Sequence, residues 1–210
     1  KKRCRIVTSL AGNFALSGDG QALICAKNIL GKLLSINGDF APALRTYAMI
    51  LQGQGRIEEA ETYYKKALEI TPNDVIVINN LAWILCEERG EYKKANELVE
   101  KGISLAPDYV DLIDTDGMID YRLGKYYEAA DKFNRCIELY PNDSSMLSNG
   151  YFHLCLTLDA MGERAKALEN LEICLDLHSE NGGLSAEDYA MAEQLFVKLS
   201  KEEKNESTKQ

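Results

Sequence analysis

The chain has 210 residues with 24 basic and 33 acidic side chains, a net charge of −9 at neutral pH. Residues 1–40 hold six basic and two acidic groups, which leaves 18 basic against 31 acidic (−13) in the rest; so acidic a body opposes phosphate binding and argues against a nucleic-acid ligand. No segment approaches the ~18 consecutive apolar residues of a membrane span, and no sustained apolar run follows the basic start Lys1-Lys-Arg-Cys-Arg5 as a signal peptide would require. That start is expected to be solvated. Because the chain opens on lysine rather than methionine, a longer parent protein is expected.

Residues 1–40 read as a degenerate first helix pair. Running backward from Ala41, the residues Ala26, Leu30, Leu33, Leu34 and Ile36 fall at the positions of a second helix, and Gly38 stands where later units have proline. Ser17-Gly-Asp-Gly20 resembles a glycine-rich loop only superficially, since it lies where this pair should turn.

From residue 41 the chain repeats itself. Gly55, Gly90, Gly124 and Gly162 are 35, 34 and 38 residues apart, and each is followed five residues later by an alanine: Ala60, Ala95, Ala129 and Ala167. In phase with these come Tyr64, Val99, Phe133 and Leu171, then the small residues Ala67, Gly102, Cys136 and Cys174, then Ile70, Leu105, Leu139 and Leu177. The spacing is helical. Three of these units close with Pro72, Pro107 and Pro141, which cannot continue a helix. Upstream of the glycines lie further apolar stretches, such as Leu44, Tyr47, Ala48 and Leu51, so each unit is predicted to be helix, turn, helix. A period near 34 residues indicates a stacked helical array, in which neighbouring units bury each other's apolar faces.

The units are placed at 41–74, 75–109, 110–143 and 144–181. In the second, the β-branched run Val75-Ile-Val-Ile78 is the best strand candidate in the chain, but the repeat register assigns it to a helix. The fourth has Ser179 in the proline position and four extra residues, Ser144 to Leu147, predicted to form a longer link. Ser185-Ala-Glu-Asp188 is a capping-box sequence ahead of Tyr189, Ala192, Phe196 and Leu199, which share one helical face. A capping helix is therefore expected over 182–200, and the polar tail 201–210 is expected to be disordered. One all-helical domain is the predicted organisation.

The residues that carry chemistry are sparse. There are two histidines, His153 and His178, with no zinc-protease, phosphate-loop or nucleophile-elbow sequence, so neither catalytic residues nor a metal nor a cofactor is predicted. Cys136, Cys174 and Cys155 occupy slots that hold alanine or glycine elsewhere, which reads as close packing. No C-x-x-C pair occurs, and free thiols in a reducing, cytoplasmic compartment are expected. Asp111, Asp114, Asp116 and Asp120 share one helix, with Asp116 in the slot of Tyr47, Leu81 and Leu154. A carboxylate there costs a few kcal/mol unless it is paired or wet. It marks either a cation site, a socket for a basic side chain, or a loosened repeat.

The segments ALRTYAMILQGQGRIEEAETYYKKALEITPND, NNLAWILCEERGEYKKANELVEKGISLAPD and DTDGMIDYRLGKYYEAADKFNRCIELYPND together resemble the tetratricopeptide repeat family, and the resemblance runs from about Gln21 to Leu177. It implies an all-α, right-handed α-solenoid that binds proteins or peptides and is not itself an enzyme. It also implies that first helices line a concave groove. Carried over slot by slot, that groove would hold Arg45, Asn79, Asp114 and Phe152 in one stripe. Met49, Trp83, Met118 and Leu156 form a second, and Asn80, Asp111 and Tyr121 lie beside them. The basic and asparagine clamp by which some members hold chaperone C-termini is matched at Arg45 and Asn80 only, because Met49, Asp111 and Thr115 replace its other members. A partner segment with apolar anchors and Lys or Arg suits these residues better. Self-association through an exposed end, and service as the recruiting arm of a larger enzyme or envelope-assembly protein, are the alternatives. The phrases NNLAWIL and DTDGMIDYRLG have a bacterial character by resemblance.

Overall fold

In the computed structural model, described for residues 2–16, 20–141 and 145–207, every regular element is helical. The helices are α1 (Lys2–Leu16), α2 (Gly20–Ile36), α3 (Ala41–Gly53), α4 (Ile57–Ile70), α5 (Val75–Trp83, continued by a π turn, Ile84–Glu88), α6 (Tyr92–Leu105), α7 (Val110–Arg122), α8 (Tyr126–Leu139), α9 (Met146–Ala160), α10 (Arg164–Asn181) and α11 (Ala186–Ser207). The chain divides into two compact units, 1–105 and 106–210.

The repeat glycines act as the spacing predicts. Gly55, Gly124 and Gly162 sit at φ 71°, 75° and 78°, just past the ends of α3, α7 and α9. At each, two backbone bonds close the helix: Arg56 N–H to Leu51 O and Gly55 N–H to Gln52 O in the first case, with the same pair of spacings at the other two. This double closure satisfies carbonyls that a helix end leaves orphaned. The second helix then packs back through residues of negligible exposure: Ala60, Tyr64 and Ala67 on α4, Ala95 and Val99 on α6, Ala129, Phe133 and Cys136 on α8, Ala167, Leu171 and Cys174 on α10. By contrast Ile70, Leu105 and Leu139, the last residues of their helices, stay about two-fifths exposed.

The second repeat carries one more residue than its neighbours. From Asp74 to Gly90 is one step longer than from Tyr109 to Gly124, and the closing bond there runs from Glu91 N–H to Leu85 O, six residues instead of five. The π turn over Ile84–Glu88 absorbs the difference. Val75–Ile78 is helical, as the register requires, with the Asp74 side chain accepting from Val77 N–H at 3.4 Å as its cap.

The fourth repeat departs further. With serine in place of proline, α10 runs on to Asn181 and has 18 residues against 14 in α4, α6 and α8. It ends at Gly182, at φ 72°. The link expected over 144–147 is shorter than predicted, because Met146 and Leu147 already belong to α9 and Leu147 is buried in place of lying in a loop; Ser144 lies outside the described residues. The chain then folds back over the start of α9: Ser148 Oγ donates to Gly182 O at 3.0 Å and Asn149 Nδ2 donates to Gly183 O at 3.0 Å.

Helix α11 buries Ala192 and Leu199 fully, with Tyr189 and Phe196 partly buried against the same cluster. Ser185 caps it, accepting from Asp188 N–H at 3.0 Å. The helix continues to Ser207, so residues 201–207, expected to be disordered, are helical. Their lysine and glutamate content favours helix. Residues 208–210 of that tail and Ser17–Asp19 of the predicted first turn lie outside the described residues.

A methyl added at Gly183 would stand 1.8 Å from Ser145 O, at a backbone φ of 119° that side chains rarely adopt. Gly183→Ala is expected to destabilise by at least about 2 kcal/mol. Gly20→Ala, where nothing lies within 4 Å, is expected to be neutral. Thermal unfolding followed by circular dichroism compares the two.

Candidate functional site

In the first unit, α1, α2, α3 and α5 enclose an open cleft of about 430 Å³. Its walls are Leu23, Met49, Ile50 and Ile76, with Gly12 and Gly53 leaving room between them and Arg45 and Thr46 at its edge. Met49 is 43% exposed, and it joins the cleft to solvent. Two more of the predicted groove residues are tied down nearby. Arg45 pairs with both carboxylate oxygens of Asp74 at 2.9 and 3.2 Å, and so braces the cap of α5. Asn80 Nδ2 donates to the Tyr64 hydroxyl at 3.0 Å, which in turn donates to Gln52 Oε1 at 2.8 Å. Burial raises the Tyr64 pKa above the ordinary tyrosine value, so the hydroxyl keeps its proton and its place in the chain of bonds. Asn79 is 8% exposed; Trp83, the last residue of α5 before the π turn, is half-buried.

In the second unit the predicted residues are used internally. Phe152, 1% exposed, and Met118, 8% exposed, belong to the core with Phe133, Leu171 and Leu199, so both side chains pack the fold. Tyr121 and Leu156 pack against this core as partly buried side chains. Sequence position alone could not separate them, because an aromatic or methionine at helical spacing fits a core and a groove equally well.

The aspartates of α7 form a paired system. Asp120, with its side chain 7% exposed, fills the slot of Leu51, Leu85 and Leu158, a placement missed in the sequence though the register carries it. Lys132 of α8 pairs with it closely and with Asp116 at 2.7 Å, and Lys125 reaches it at 3.2 Å. The expected socket for a basic side chain thus exists, but the chain fills it from within. At the slots of Asp116 and Lys132 the first repeat has Tyr47 and Tyr63, whose rings meet edge to face at 4.9 Å, and the second has Leu81 and Leu98. One helix contact is therefore made by aromatics in one repeat and by ions in another. Burial works against the Lys132 charge, but the bonds and charges of Asp116 and Asp120 outweigh it and lift its pKa above the ordinary lysine value. Asp114 accepts or shares a proton with His153 Nδ1 at 2.8 Å, linking α7 to α9, and the His153 ring lies 5.3 Å from that of Phe133. Asp111 is half-buried on the first turn of α7. Among the described residues no group of three or more His, Cys, Asp or Glu is arranged to hold a metal ion.

The buried thiols are poor nucleophiles. Burial pushes Cys155 and Cys174 up to about 12 and raises Cys136 as well, so all three are protonated near neutral pH.

Helix pairs closed by a glycine turn and packed through small residues define the chain as a helical-repeat protein of the α-solenoid class. It carries tetratricopeptide repeats: family models described as tetratricopeptide repeat match residues 39–108 and 117–143. Over 99 residues it is 26% identical to the TPR repeat-containing protein PA4667 of Pseudomonas aeruginosa, a match covering 47% of this chain and 17% of that one. Over 141 residues it is 27% identical to Protein CTR9 homolog of Arabidopsis thaliana, covering 62% of this chain and 13% of that one. The chain thus spans less than a fifth of the length of these relatives. Among solved structures it is similar in fold to PilW, a type IV pilus biogenesis factor (TM-score 0.73, 19% identity, 96% of this chain and 92% of that one). It is likewise similar to TTC0263, a thermophilic TPR protein of Thermus thermophilus (TM-score 0.70, 17% identity, 92% and 99%). Among the described residues no helix is long and apolar enough to cross a membrane.

Removing Lys132 alone leaves Asp120 buried without its closest cation, so Lys132→Ala is expected to cost about 3 kcal/mol or more. Replacing the set with the leucines of other repeats (Asp116→Leu, Asp120→Leu, Lys132→Leu) is expected to be neutral or stabilising. Because the folded state holds the Lys132 proton more tightly than the unfolded chain does, the pair's contribution is intact at neutral pH. On the alkaline side it is lost as the pH climbs from the ordinary lysine value of 10.5 through the higher folded value. Urea unfolding of the variants at pH 7, and of the wild type across the alkaline range, checks both.

Proposed function

We propose that the chain is a protein-interaction scaffold, not an enzyme, and that it holds an extended or helical peptide segment of a partner protein with the first-unit cleft as the anchor point. The observation that carries this reading is the cleft itself, whose walls among the described residues are almost wholly apolar and whose one charged edge residue among them, Arg45, is already neutralised by Asp74. Such a cleft accepts an aliphatic or aromatic side chain and offers methionine, an adaptable contact, at its mouth. The tetratricopeptide repeats support the general kind of function. The carboxylates of α7 contribute less to a basic partner than the sequence suggests, since Asp116 and Asp120 are engaged by lysines of the same unit and Asp114 by His153. The partner's contribution is therefore mainly apolar. A second reading, in which these repeats serve as the recruiting arm of a larger protein, draws on the small share of the curated relatives that they match. The two readings use the same cleft.

Selection from a random peptide library on the immobilised chain, followed by titration calorimetry of the selected peptides, tests the assignment. Met49→Lys is expected to weaken binding by about tenfold or more, while Tyr127→Ala, on an exposed site of α8 in the other unit, leaves it unchanged. Peptides that bind Met49→Lys as well as the wild type would remove the cleft from the reading.

A further inference from the structure

The helices at the two ends of the chain each present an apolar face to solvent. On α1, Ile6 and Leu10 stand one turn apart, 53% and 51% exposed, on the side of the helix opposite the buried Thr8 and Ala11. On α2, Ile24 is 52% exposed, on the side opposite Ala26 and Leu30. On α11, Val197 is 50% exposed opposite Ala192 and Leu199, and with Ala190, Glu193 and Gln194 it lines a shallow depression of about 380 Å³. A large aliphatic side chain left half in water on a helix gains by burial at roughly 25 cal/mol per Å². Covering either face is therefore favourable.

The charges say which partner. Among the described side chains, α1 and α2 carry Arg5, Lys27 and Lys32 and no acidic group, whereas α11 carries Glu187, Asp188 and Glu193 against Lys198 and Lys201. Bringing two α1–α2 ends together, or two α11 ends, would set like charges against each other. An α1–α2 end against an α11 end sets opposite charges together and brings the aliphatic pair of α1 to the depression beside Val197. We propose that copies of this chain associate head to tail, with the α1–α2 face of one copy seated on the α11 face of the next. Such a contact is heterologous: it uses two different surfaces, so a pair of copies still has one unused face of each kind and growth continues unless the geometry closes. The area on each face is small and its charges are exposed, so the association is weak, concentration-dependent and reduced by salt.

Light scattering or sedimentation of the full 210-residue chain tests this with two variants and their mixture. The wild type is expected to rise above the monomer mass of 23.5 kDa with concentration at low salt and to return toward it at high salt. Ile6→Asp/Leu10→Asp removes one face and Ala190→Lys/Val197→Lys the other; each is expected to stay monomeric, with unchanged helical circular dichroism. Mixed in equal amounts, each variant still has the face the other lacks, so the mixture is expected to form a species of twice the monomer mass and nothing larger. A charge exchange guards against misfolding: Arg5→Glu and Glu193→Lys should each weaken association, and their mixture should restore it. A wild-type mass fixed at the monomer value overturns the proposal. So does self-association by either double variant alone, or a mixture that remains monomeric.

Discussion

Everything in these repeats depends on how closely the two helices of a pair approach, and that distance is set by the smallest residues in the chain. Ala60, Ala95, Ala129 and Ala167 all have no exposed surface, and facing slots hold Ala48, Ala82, Gly117 and Cys155. At Gly117 even one added carbon would come within 2.6 Å of the Phe133 ring. Protein interiors are packed too densely to absorb such an intrusion without shifting a helix. The larger residues of the core can vary in kind, from tyrosine to valine to phenylalanine to leucine in one slot, because they fill space that the small residues have already fixed.

That division explains which parts of the structure are legible in the sequence. A glycine that must take positive φ, an alanine at a helix crossing and a proline that stops a helix each have few substitutes, so they recur visibly and reveal the fold. The groove has no such signature. Phe152 and Leu156 look alike at the level of spacing, yet one is buried and the other only partly so, and what separates them is the packing of α8, α10 and α11 around α9, which spacing does not encode. The overrun of α10 is legible in retrospect from Ser179, since nothing forbids the helix to continue there. The helical course of 201–207 shows the opposite case, in which local propensity suffices where a hydrophobic pattern is lacking.

The α7–α8 ion system shows how far a repeat can drift in chemistry while its geometry stays the same. Leucine slots have become aspartates, and the compensation comes from Lys132, on the facing helix twelve residues from Asp120 along the chain. Neither change is tolerable alone, since a buried carboxylate or a half-buried ammonium would each be left without its counter-charge. Together they leave the helix pair closed by the same backbone bonds as in the first and fourth repeats. The pair also makes this contact directional, because a carboxylate and an ammonium accept fewer arrangements than two leucines.

The π turn at Ile84–Glu88 has a consequence for how such arrays change length. One residue added to an ordinary helix would rotate everything beyond it by about 100° and carry the small residues off the crossing. Here the surplus is confined to a single widened turn, and Ala95 and Val99 arrive fully buried in the slots that Ala60 and Tyr64 hold one repeat earlier. The turn works as an expansion joint: a helix can gain a residue without passing the error on to the second helix of its pair.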